Sequence, residues 1–203
     1  MNKVMMRMGS IVVFTMVAAL FFFGCASAPK EEIAATQTAL QAAQTDDVRT
    51  YAPDSLKAAE DLMSKATAEV QTQDNKFALS RDYKAASDLL KQAKDLAAKA
   101  ETDAQANKVR AKADAETIIA GLTQLFADAK KALATAPRGK DTKAELEAMG
   151  NDLKAAEEAS TAATQAMSQE KFNDALAQAK AAKDKADTII QQVAAAKEKV
   201  KGK

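Results

Sequence analysis

FNDALAQAKAAKDKADTIIQQVAAAKEKV, residues 172–200, steps through apolar side chains at alternating intervals of three and four: Phe172, Ala175, Ala179, Ala182, Ala186, Ile189, Val193, Ala196 and Val200. That spacing is the heptad seam of an α-helix packed side by side with others, as in a coiled coil. An earlier ladder runs Tyr83, Ala86, Leu90, Ala93, Ala97, Ala100, Ala104. Most rungs are alanine, so neighbouring helices can approach closely while burying little apolar bulk, and the core is narrow. From Cys25 onward alanine fills 47 of 179 positions, while glycine occurs four times and proline three. Alanine is the best helix former and glycine and proline the worst. The expected fold class is all-α: an elongated antiparallel helical bundle of hairpins with alanine-rich heptad seams.

Away from the seam, Lys84, Asp88, Lys91, Asp95, Lys99 and Asp103 follow one another at spacings of four or three. Opposite charges then neighbour each other up one helix, which reads as a solvated face.

Helix breakers divide the chain. YAPDS at 51–55 separates a first helix, about 31 to 48, from a second starting at Leu56, and DNK at 74–76 ends the second. A helical pattern then runs from between Lys76 and Tyr83 to about Thr135, interrupted by Gly121 and by polar Asn107 and Asp114 at seam positions. The sequence leaves open whether that helix is continuous. TAPRGKDT at 135–142 is the clearest turn, and Thr142 with Glu145 forms a capping-box pattern.

LKAAED at 56–61 recurs as LKAAEE at 153–158, and each copy precedes an aromatic that opens a ladder, Tyr83 or Phe172. The chain reads as one three-helix unit written twice, 31–104 and 105–200, joined through a long central helix and followed by a basic tail at 201–203. Gly150 and Asn151 read either as a turn matching APDS or as a point within a helix.

The amino-terminal segment has a different character. Lys3 and Arg7 precede the apolar run Ile11–Phe23, then small Gly24 and Cys25, the only cysteine. This charged, apolar, small-residue order marks 1–24 as an export signal removed before Cys25. As a helix its 13-residue apolar run reaches only about 20 Å, against a hydrocarbon core of roughly 30 Å. A small residue directly before a cysteine at the end of such a run resembles the lipobox of bacterial lipoproteins. The resemblance implies cleavage between Gly24 and Cys25, a diacylglyceryl group on the Cys25 sulfur and acylation, such as palmitate, of the new amino terminus. Phe22 stands where the family prefers leucine, and Ala26 after the cysteine implies delivery to the outer membrane. Residues 25–30 then form the lipidated cysteine and a short linker. Two or more acyl chains make a stable anchor where one holds only marginally.

Losing Lys3 and Arg7 with the leader leaves 27 basic and 28 acidic side chains. A near-neutral chain has no general attraction to nucleic acid or to an anionic bilayer. Histidine and tryptophan are absent. With no histidine and with Cys25 committed to lipid, the thiolate and imidazole routes to catalysis or zinc are closed, and neither cofactor nor metal is expected. Asp46 with Asp47, and Glu157 with Glu158, are adjacent in sequence and diverge by about 100° on a helix, so they read as cap and surface charges. RGK at 138–140 is a turn and not a phosphate loop. Tyr51, Phe77, Tyr83, Phe126 and Phe172 read as plugs for a narrow alanine core at hairpin ends, with a small aromatic ligand pocket where helices splay as the alternative. The tail KEKVKGK places Lys197, Lys199, Lys201 and Lys203 together, either stabilising a helix end or gripping an acidic wall polymer or lipid head groups.

YAPDSLKAAED followed by a tyrosine opening an alanine ladder resembles an uncharacterised family of alanine-rich helical domains in bacterial envelope lipoproteins. The expected function is a non-catalytic, membrane-anchored envelope scaffold in the periplasm or on the cell surface, with peptidoglycan or envelope proteins as partners. The alternative is a lipoprotein whose amphipathic helices bind lipid, disfavoured because alanine faces offer little apolar area. Alanine seams can pair within one chain or between chains, so the oligomeric state stays open.

Overall fold

A computed structural model describes residues 27–139 and 142–201. Residues 1–24 of the expected leader lie outside the described residues. Among the described residues the chain is all-α, with six α-helices and no strand: α1 Lys30–Ala43, α2 Asp46–Tyr51, α3 Pro53–Asp74, α4 Lys84–Ala134, α5 Lys143–Ser168 and α6 Phe172–Lys201. A single 3-10 turn, Ala78–Ser80, lies between α3 and α4. The helices fall into two compact units, one of the described residues up to Thr45 with Pro53–Glu101, the other of Asp46–Ala52 with Thr102–Lys203.

In the first unit α1 runs antiparallel to α3. Ala28 and Ile33 pack on the cluster of Val70, Tyr83 and Ala86, while Gln44, after the far end of α1, donates from Nε2 to Glu60 at 3.1 Å. α1 runs parallel to the first part of α4, where buried Thr36 donates from Oγ1 to the carbonyl of Leu90 at 3.2 Å. The whole first ladder, Tyr83 to Ala104, is buried. Of the charge stripe, Lys84, Asp88, Lys91, Asp95 and Lys99 are exposed, with Lys84 and Asp88 paired at 2.9 Å.

The first helix is shorter than the sequence implies. It stops at Ala43, and α2 begins at Asp46. Asp46 and Asp47 occupy the first turn of α2, where carboxylates favour the positive end of the helix dipole. The break lets Val48 and Tyr51 be buried in the second unit instead of continuing α1. Pro53 then occupies the first position of α3, where its missing N–H leaves no helical bond unmade.

In the second unit, α5 and α6 form an antiparallel hairpin against the remainder of α4. Ala129, Leu153, Ala186 and Ile189 make its buried cluster, flanked by Leu125, Phe126, Leu133, Met149 and Ile190. The hairpin turn contains neither glycine nor proline. Glu170 adopts the left-handed conformation with φ 58°, the N–H of Lys171 donates to Ala166 O at 3.0 Å, and that of Glu170 to Met167 O at 3.1 Å. This is a Schellman motif with glutamate in the position glycine usually fills.

Some finer points left open by the sequence are decided, and others need correction. α4 is continuous through Gly121, and its seam passes through Ala111, Ala115 and Leu122, leaving Asn107 and Asp114 exposed beside it. Thr142 is itself helical (φ −98°, ψ −8°), so no capping box forms; its Oγ1 accepts from the N–H of Gly139 at 2.9 Å. Gly150 and Asn151 lie inside α5. The second ladder is buried only as far as Val193, and Val200 is 60% exposed.

Candidate functional site

Cys25 and Gly24, the expected lipidation and cleavage positions, lie outside the described residues. The described chain begins two residues later and is tied down at once. Lys30 donates its N–H to Ala28 O at 2.8 Å and Ile33 to Pro29 O at 3.0 Å, while Ala28 packs against Val70, Tyr83 and Ala86. The start of α1, the end of α3 and the start of α4 therefore share one end of the first unit.

The α3–α4 connection closes that end with polar clamps. Arg81 donates from Nη2 to Asp74 O at 2.8 Å and from Nε to Lys76 O at 3.1 Å. Gln73, buried, accepts from the N–H of Asp82 at 3.0 Å, and Asp82 in turn accepts from the N–H of Lys84 at 2.9 Å. The phenol of Tyr83 donates to the carboxylate of Asp74. That bond, aided by burial, holds the phenol protonated above its ordinary range. A shallow cleft of about 840 Å³ lies between Ser27–Glu32 and Asp74, Arg81, Tyr83 and Ser87.

At the tip of the same connection the expected pattern fails. Phe77 plugs no core: it is 74% exposed, and Leu79 is 77% exposed. The other aromatics behave as expected, with Tyr51, Tyr83 and Phe172 buried and Phe126 against the second unit's cluster. Phe77 and Leu79 sit outside the helical period, which is the one signal by which the sequence could have set them apart.

The basic tail is divided in its roles. Lys197 donates from Nζ to Thr135 Oγ1 at 2.6 Å, tying α6 to the end of α4. Lys199 is exposed, Lys201 closes α6, and Lys203 lies outside the described residues. Cations in this last turn suit the negative end of the helix dipole.

The acidic pairs are surface charges, and Asp46, Asp47 and Glu157 have partners, while Glu158 is exposed. Asp47 accepts from Lys108 at 2.8 Å, and this hydrogen bond raises the Lys108 pKa. Asp46 faces Arg49 at 4.0 Å, and Glu157 pairs with Lys130 at 2.6 Å. Around α2, Asn107 donates to Tyr51 O at 2.8 Å and Asn173 to Thr50 O at 3.1 Å, satisfying carbonyls that a six-residue helix leaves open. Asn107 thus serves as a bracket for α2. A second cleft, about 820 Å³, opens at the α4–α5 turn beside Leu133, Arg138, Thr142, Leu146 and Gly150.

Among the described residues, no group of His, Cys, Asp and Glu could hold a metal ion, and no helix is long and apolar enough to cross a membrane. In comparisons with known proteins, no protein family, no curated sequence and no solved structure matches this chain.

Proposed function

We propose that this chain is a lipoprotein of a bacterial cell envelope, held in the outer membrane by acyl groups on Cys25, and that its two helical units act as a non-catalytic scaffold between that membrane and the wall or other envelope proteins. One observation carries the reading: the single cysteine stands directly after Gly24, at the end of a basic-then-apolar leader. The structure is compatible with an anchor there, because the fold begins within a few residues of Cys25 and leaves it no long spacer. The lysines at the end of α6 supply the contact for an acidic wall polymer, with Lys199 exposed for it.

The anchor is tested by growing expressing cells with an alkyne analogue of palmitate. Label on the wild-type chain that disappears in Cys25→Ser supports the reading; equal label, or none, overturns it. The wall contact is tested by pelleting the protein with purified peptidoglycan sacculi, with and without residues 197–203. Pelleting lost on truncation supports a tether, and a protein left in the supernatant excludes one.

A further inference from the structure

The exposed tip of the α3–α4 connection gives the first unit a second way to meet the bilayer. We propose that Phe77 and Leu79 insert into the interfacial layer of the membrane that holds Cys25, fixing the first unit end-on against the lipid surface. This rests on the lipid-anchor reading above.

Three observations point to a bilayer as the occupant. Phe77 and Leu79 are among the four large apolar side chains left exposed in the described structure, at 74% and 77%, and are separated by one residue on one short connection. That connection lies at the end of the unit where the chain enters: Ala28 packs on Val70, Tyr83 and Ala86, and the cleft beside it joins Ser27 to Asp74 and Arg81. Cys25 is two residues from Ser27, a reach of at most about 7 Å of extended chain, so an anchor on it holds this end of the unit close to the lipid. A partner protein could in principle cover two apolar residues anywhere, but only a membrane is brought to this end by the chain itself.

The connection is also prepared for such a contact. Arg81 binds the carbonyls of Asp74 and Lys76 on either side of the turn, and Asp82 is fixed by Gln73 and Lys84. The two side chains are therefore presented on an ordered backbone, which lowers the entropy lost on insertion. Exposed Lys76, beside Phe77, suits the anionic head groups of such a surface. Two residues would bind a vesicle only weakly alone. Once the chain is anchored, insertion becomes intramolecular, and the high effective concentration makes a weak contact sufficient.

The chain contains no tryptophan, so Phe77→Trp and, separately, Leu79→Trp each introduce a single fluorescent reporter at an exposed position. Ala42→Trp, exposed near the opposite end of α1, serves as the control. Full-length protein is purified from bacterial membranes and reconstituted in phosphatidylethanolamine–phosphatidylglycerol vesicles. A parallel sample is made in the cytoplasm without the leader 2–24, so that its Cys25 thiol, the only one in the chain, stays free and is coupled to a maleimide lipid. Insertion predicts blue-shifted emission at positions 77 and 79, quenched about twofold by lipids brominated near the top of the acyl chain, the ~5–10 Å depth of an interfacial side chain. The control stays unquenched. Unquenched reporters at 77 and 79 on vesicle-bound protein overturn the proposal, as does a blue shift without bromine quenching, which would mean that protein covers them. Absence of palmitate label with quenching on maleimide-tethered vesicles overturns the natural anchor but supports the contact. Label without quenching leaves the anchor standing and removes the contact.

Discussion

The phenol of Tyr83 and the carboxylate of Asp74, nine residues apart, meet at 2.5 Å across the α3–α4 connection. The hydrogen bond to Asp74 is the main cause of the raised Tyr83 pKa, with burial second; the nearby Arg81 opposes it and is outweighed. Because the folded pKa lies above the unfolded value of about 10, the contribution is fully present below pH 10 and is lost as pH rises through the folded value. Tyr83→Phe should lower the melting temperature by a few degrees at neutral pH. The gap from wild type should close above pH 10, while lysines such as Lys108 titrate in both proteins and cancel from the difference. Thermal melts from pH 7 to 11 check this, and a gap independent of pH would refute it.

The α5–α6 turn carries a removable strain. A non-glycine residue in the left-handed region costs about 1 kcal/mol, and Glu170 sits there at φ 58° with a Schellman pair around it. Glu170→Gly should therefore stabilise the protein by about 0.5–1 kcal/mol, the greater freedom of glycine in the unfolded chain offsetting part of the gain. Urea unfolding measures it. A destabilised Glu170→Gly would show that the glutamate side chain contributes more than its backbone strain costs.

How far the sequence discloses this molecule depends on periodicity. The ladders from Tyr83 and Phe172 repeat a spacing set by helix geometry, so the all-α class and the buried faces can be read directly from the residues. The Gln169–Lys171 turn cannot, because its left-handed residue is a glutamate and no breaker flags it. The capping-box pattern at Thr142 is a false signal: Thr142 and Glu145 have the spacing, but the backbone starts its helical conformation at the threonine. Phe77 departs from expectation because an aromatic near a hairpin end is usually core, and only three-dimensional context shows which way a non-helical residue faces. At the amino terminus, by contrast, only the leader residues bear on Cys25.

Two glycines lie within helices without a packing reason. A Cβ at Gly121 in α4 or at Gly150 in α5 would meet nothing within 4 Å, and both have φ values an alanine can adopt. Gly121→Ala and Gly150→Ala should each raise stability by about 0.5–1 kcal/mol, with additive effects in the double variant. Denaturant titration of the three variants tests both statements. A loss at Gly150 alone would imply that something occupies the cleft at the α4–α5 turn, which Gly150 borders.

The narrow seams make the strongest claim about packing. Ala179 is fully buried, whereas Ala181, two positions along α6, is exposed. In a core of branched side chains an added isopropyl group finds partial room by repacking, but between alanines the neighbours are backbone and Cβ atoms that cannot turn aside. Ala179→Leu should cost about 1–3 kcal/mol through overpacking, and Ala181→Leu should stay within about 0.5 kcal/mol of wild type. Chemical denaturation of both variants, with far-ultraviolet circular dichroism confirming helix content, provides the comparison. Equal stability would mean that the helices separate easily at this level, as the lipid-binding alternative requires. A selective loss at Ala179 would instead mean a closed, close-packed unit suited to a scaffold.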